Sequence, residues 1–99
     1  MALEVPYRSI PDMFLQRVRA TPNGHAFAVP TADDSAITWL SWSQVGERAK
    51  AIAAGLAGLG VGLEDRVAII SGTRLEWVLV DLGINCAGAA TTTVYPTTA

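Results

Sequence analysis

Few side chains in this sequence could do chemistry. His25 is the single histidine and Cys86 the single cysteine. Nucleophilic catalysis needs a hydroxyl or thiol whose proton a histidine can take, and no serine or cysteine pattern around His25 supplies one. His25 follows a glycine turn and opens an apolar alternation, so it reads as a strand-end histidine. Cys86 falls on the apolar side of a helical pattern and reads as a small hydrophobe. Asp33-Asp34-Ser35 sets two carboxylates side by side. A cation needs more ligands converging than that, and Asp-Asp-Ser is turn chemistry. Lys50 is the single lysine in the sequence, and nothing marks it as activated.

Ser71-Gly72-Thr73 stands where an apolar strand pattern gives way to a helical one. That is where many α/β proteins hold a phosphate, on backbone amides and the positive end of a helix dipole. The stretch is neither a Gly-x-Gly-x-x-Gly fingerprint nor a Walker loop with its lysine. It reads as a helix cap, with Thr73 and Glu76 placed to form a capping box. Trp39, Trp42 and Trp77 read as core anchors rather than as a ligand cage. On its residues alone, the segment holds no complete active site.

The elements that must position these residues follow from periodicity. Ser9-Ile10-Pro11-Asp12 is a helix start, with a capping serine, a proline in the first turn and an acid at the positive end. Ile10, Phe14 and Val18 then form one stripe, and Thr21-Pro22-Asn23-Gly24 ends a helix over about residues 10–20. His25–Pro30 and Ile37–Leu40 read as two strands of a hairpin around the polar loop 31–36. Ser41-Trp42-Ser43-Gln44 is a capping box. Val45, Ala49, Ile52, Leu56 and Leu59 continue the helix to Gly60, a natural left-handed end. Its opposite side is alanine and glycine, which predicts a helix covered on more than one side.

Arg66–Ser71 carries Val67-Ala68-Ile69-Ile70, apolar on both faces as in a parallel strand between helices. Thr73 opens a third helix lined by Leu75, Leu79, Leu82 and Cys86, and Gly88 ends it. Ala89–Tyr95 is the last strand. Strand, helix and strand form a βαβ unit. The predicted class is therefore α/β, a hairpin plus a βαβ unit, with no repeat, linker or low-complexity tract.

Composition bounds the partners. Ninety-nine residues, 51% hydrophobic and 16% charged, make one domain at most. A net charge of −2 gives no electrostatic case for nucleic acid. A lone cysteine favours a reducing compartment, and the N-terminus lacks a secretory pattern. The apolar runs 51–63 and 82–94 are too short and too interrupted to span a bilayer.

Several stretches are similar to one family. Trp39-Leu40-Ser41-Trp42, Ala53-Ala54-Gly55-Leu56 and Leu59-Gly60-Val61 lead to Asp65-Arg66-Val67-Ala68-Ile69. Together they resemble the N-terminal region of the adenylate-forming (AMP-binding) superfamily. Thr73-Arg74-Leu75-Glu76-Trp77, Gly88-Ala89 and Val94-Tyr95-Pro96-Thr97 look most like long-chain fatty-acyl-CoA synthetases. The resemblance runs from about Pro11 to Thr98.

The resemblance implies that residues 1–99 are a partial, N-terminal piece of the large adenylate-forming domain. The parent would use ATP and magnesium to convert a fatty acid to an acyl-adenylate, and coenzyme A would then displace AMP. The phosphate loop with its lysine, the metal-binding pair and the ribose aspartate of that family lie beyond the matched region, so no catalytic residue is carried over. Tyr95 and Thr97 are expected at the wall of the acyl pocket. The partner is expected to be the remainder of the domain or a complementary chain, in a cytoplasmic protein whose lipid substrate brings it to membrane surfaces. The alternative function is a non-enzymatic interaction module that complements a separate catalytic chain.

Overall fold

A computed structural model describes residues 4–96. The order is α1 (Ile10–Ala20), β1 (His25–Pro30), β2 (Ile37–Ser41), α2 (Trp42–Gly58), β3 (Arg66–Ile70), α3 (Leu75–Cys86) and β4 (Ala90–Val94). β1 and β2 pair antiparallel, with a bulge between His25 and Phe27, and β3 pairs parallel with β4 through the α3 crossover. The α/β reading, a hairpin plus a βαβ unit, is the observed architecture.

Local chemistry sets the helix ends. Ser9 caps α1 by accepting the Asp12 amide at 3.2 Å. The Thr21–Gly24 turn does more than stop that helix. The Gly24 carbonyl accepts the Trp42 amide at 3.1 Å, and the Pro22 carbonyl accepts the Ser43 amide at 2.8 Å. The Ser41 hydroxyl accepts the Gln44 amide at 3.1 Å, and Gln44 Oε1 accepts the Ser41 amide at 2.9 Å. The N-terminal amides of α2 that a helix leaves unpaired are thus satisfied by the turn before the hairpin and by its own capping box. These bonds pin α1, the hairpin and α2 to one another.

The core has two parts. Phe14, Leu40, Val45, Ala49 and Leu79 form one cluster, with Trp42 tilted against Phe14 and Phe27. Ile69, Ile84 and Ala89 form the second, beneath the parallel pair. α2 and α3 join them. Gly46 lets Val18 of α1 approach α2, since a Cβ there would meet Val18 Cγ1 at 3.0 Å.

Three expectations change. α3 begins one residue late, with Arg74 as an extended N-cap that makes no side-chain capping bond. That moves Glu76 out of the third helical position, and it binds Arg74 Nε at 2.8 Å instead of closing a box with Thr73. Trp39 is not a core anchor. Leu40 is the inward residue of β2, so strand parity turns Trp39 outward, where it stacks on His25 with ring centroids 4.3 Å apart. The second cover expected for α2 is not supplied by these residues, because Ala54, Gly55, Ala57 and Gly58 are exposed.

The exposure is general. The chain presents 7051 Å² to solvent, against roughly 5,400 Å² for a self-contained protein of its 10.4 kDa. Its radius of gyration is 15.1 Å, against about 13 Å for a compact domain of this length. Ile70 on β3 is 68% exposed, although its neighbour Ile69 is buried. One face of the parallel pair is covered and the other is bare.

Candidate functional site

The parallel strands end together at Ile70 and Val94. Beyond those ends, Ser71 and Thr73 on one side and Tyr95 on the other bound a cleft of about 230 Å³. Trp77 and Val78 of α3 and Thr93 and Val94 of β4 complete its wall. The carboxyl edge of parallel strands, where the chain turns into a helix, is the usual ligand position in open α/β sheets.

The wall is neutral, built of serine and threonine hydroxyls, an indole and a phenol. The nearby charges are spent on each other. Arg74 and Glu76 are both well exposed and form an ion pair. The pair raises the guanidinium further above its usual range, through their hydrogen bond first and the Glu76 charge second, and holds the Glu76 carboxyl below its own range, through that hydrogen bond first, its own backbone amide next and the Arg74 charge last. With Glu76 in the first turn of α3, the helix end already has its anion. Ser71 Oγ donates to the Gly72 carbonyl at 2.9 Å, so this hydroxyl is held within the loop. The cleft can position a ligand by shape and neutral hydrogen bonds, and it has no group poised for proton transfer.

Tyr95 lines this cleft and is 69% exposed. Thr97 lies outside the described residues. Trp77 serves both the second core cluster and the cleft, whereas Trp42 belongs to the first cluster. Val78 and Thr93 were missed in the sequence; their signal was position, one turn into α3 and one residue from the strand end. Cys86 packs against the first cluster, and burial pushes its thiol up, with Lys50 partly opposing. Asp33 accepts bonds from both the Ser35 hydroxyl and amide and from Thr31, as a turn residue does. Among the described residues no three His, Cys, Asp or Glu side chains converge for a metal. No chemical step is assigned to the residues present.

The model of the AMP-binding enzyme family matches residues 14–99. This chain belongs to the AMP-binding enzyme family. A long-chain-fatty-acid–CoA ligase of Mycobacterium bovis, FadD15, is 39% identical over 64 residues, which are 65% of this chain and 11% of the ligase. An uncharacterized protein of Mycobacterium tuberculosis is 36% identical over 86 residues, 87% of this chain and 47% of that protein. The crystal structure of the fatty acyl-adenylate ligase from L. pneumophila, in complex with acyl adenylate and pyrophosphate, superposes with a TM-score of 0.81 at 26% identity. The superposition covers 92% of this chain and 16% of that one. This chain thus spans about a tenth of the ligase's length and under half that of the uncharacterized relative. The fold seen here is a part of the adenylate-forming fold.

Proposed function

We propose that these residues are the N-terminal part of a long-chain fatty-acid–CoA ligase, and that they supply scaffold rather than chemistry. The observation that carries the reading is the 39% identity to a long-chain-fatty-acid–CoA ligase across 64 residues of this chain. The neutral, partly apolar cleft suits it. Tyr95 would line the acyl pocket, with Thr97 beside it, while residues elsewhere in the polypeptide hold ATP, magnesium and coenzyme A. The remainder of the adenylate-forming domain would cover Ile70, Val94 and the alanine–glycine side of α2. Enzymes that handle long-chain acids meet them at lipid surfaces, so a cytoplasmic, peripheral location belongs to the same proposal; no helix among the described residues is long and apolar enough to cross a membrane. The interaction-module alternative draws nothing from these matches.

The test is a substrate series on the whole translated polypeptide with ATP, magnesium and coenzyme A. Acyl-CoA formation should rise from acetate to palmitate, and Tyr95→Ala should shift that preference while leaving ATP binding intact. A preference for acetate or an aryl acid would overturn the long-chain reading.

A further inference from the structure

The turn Thr21-Pro22-Asn23-Gly24 holds the only Asn-Gly pair in the sequence. Asparagine is a labile residue, and most so before glycine. The glycine backbone nitrogen, unhindered by a side chain, gives up its proton and attacks the asparagine Cγ. A C–N bond forms, ammonia leaves, and the product is a succinimide. Water then opens the ring at one carbonyl to give aspartate or at the other to give isoaspartate. Asn85, the other asparagine, is followed by Cys86 within α3, and its side-chain amide is bound to the Asp81 carbonyl at 2.8 Å.

Asn23 is exposed to the water that this reaction needs. Three main-chain bonds nevertheless hold the turn. The Gly24 amide donates to the Thr21 carbonyl at 3.0 Å. The Pro22 carbonyl accepts the Ser43 amide at 2.8 Å, and the Gly24 carbonyl accepts the Trp42 amide at 3.1 Å. Asn23 keeps a negative φ, because positive values outside glycine among the described residues fall on Asp34 and Glu64. With Pro22 ahead of it, that makes a type I turn, whose closing bond points the Gly24 N–H at Thr21. The nitrogen must release that bond to reach Asn23 Cγ, and the carbonyls on either side of Asn23 are fastened to the first turn of α2. A Cβ at Gly24 would stand 3.2 Å from the Thr21 carbonyl oxygen. The tight turn that favours glycine therefore also creates the labile pair.

We propose that Asn23 is a deamidation site gated by the junction of α1, the hairpin and α2, converting to isoaspartate while that junction is open. The product does not reclose it. Isoaspartate adds one carbon to the main chain between the Thr21 carbonyl and the Gly24 amide, and it adds a negative charge. The bond from Trp42 to Gly24 then loses its register, so each event permanently loosens the hairpin from α2. The proposal stands on this turn and not on the ligase reading.

The test follows isoaspartate at Asn23 by peptide mapping of the whole translated polypeptide at mildly alkaline pH. A free peptide of residues 19–27 is the reference. Each bond holding the turn biases it towards the closed form by roughly two- to tenfold, so the native polypeptide should deamidate at least about tenfold more slowly than the peptide. Ser43→Pro deletes the amide donated to Pro22. Proline already occupies the corresponding second position of α1, as Pro11, so a helix start accommodates it. This variant should deamidate several-fold faster than the parent, with its helicity kept. Urea below the unfolding transition should also accelerate the unmutated polypeptide, a readout that holds even if the variant does not fold. Three results overturn the proposal: a native rate equal to the peptide's, a folded Ser43→Pro variant no faster than the parent, or a rate indifferent to urea.

Discussion

Gly83 of α3 faces Ile52 of α2 with no room for a side chain. A Cβ at Gly83 would stand 2.7 Å from Ile52 Cβ and 3.3 Å from the Ala49 carbonyl oxygen. This contact joins the two helices that carry the two core clusters, so it sets where the strand-end cleft lies relative to the hairpin. Gly83→Ala should destabilise the protein by about 1–3 kcal/mol through overpacking. Ile52→Ala should recover part of that loss in the double variant, which urea denaturation of the four proteins would show. Additive losses would mean that the helices are not in this contact.

Gly58 offers the opposite case. A Cβ there meets nothing within 4 Å, and the residue is helical and exposed. In residues 1–99 alone, Gly58→Ala should raise helix stability by about 0.5–1 kcal/mol, because alanine loses less backbone freedom. In the whole polypeptide the gain should vanish or reverse if another element packs on this side. Equal gains in both, read from circular dichroism melts, would show that the α2 face stays open.

The bare side of the parallel pair makes its own prediction. Ile70 and Val94 are 68% and 41% exposed at the end of an open two-stranded sheet. Unpaired edges and apolar patches of this kind promote association. Residues 1–99 alone should sediment as concentration-dependent oligomers, and Ile70→Lys should reduce that without lowering helicity. A monodisperse 10.4 kDa species for the unmutated chain would contradict it.

The hairpin loop has an acid-sensitive point. The Ser35 hydroxyl and amide, followed by the Thr31 hydroxyl, hold the Asp33 carboxyl down from 3.8 to about 2. A depressed pKa means that the ionised form is favoured by the fold. The loop's contribution is therefore fully present above the unfolded value near 3.8 and is lost as pH falls through about 2. A carboxyl-detected NMR titration should place Asp33 below the other aspartates, and Ser35→Ala should return it towards the ordinary value.

What the sequence made legible was set by near neighbours. The order of elements followed from periodicity, and the Ser41–Gln44 capping box formed as its spacing required, because both partners lie within one turn. The Gly60 and Gly88 stops are also local, and both residues take positive φ, +93° and +80°. The errors arose where a distant or competing contact decided. Thr73 lost its cap to the Arg74–Glu76 pair, which periodicity does not encode. Trp39 carries a core residue's size, but the register with β1 turned it outward onto His25. The cleft itself was half visible, through Ser71, Thr73 and Tyr95. Its α3 wall depends on a crossover packing that only three-dimensional placement reveals, and Thr97 falls outside the described residues.

In the proposed role these residues scaffold a fatty-acid–CoA ligase without carrying its chemistry. The most direct measurement incubates the whole translated polypeptide and, separately, residues 1–99 with ATP, magnesium, palmitate and coenzyme A, and quantifies palmitoyl-CoA and AMP by mass spectrometry. Both products should form with the whole polypeptide, and neither with residues 1–99 alone. Palmitoyl-CoA from residues 1–99, or none from a folded whole polypeptide, would contradict the account.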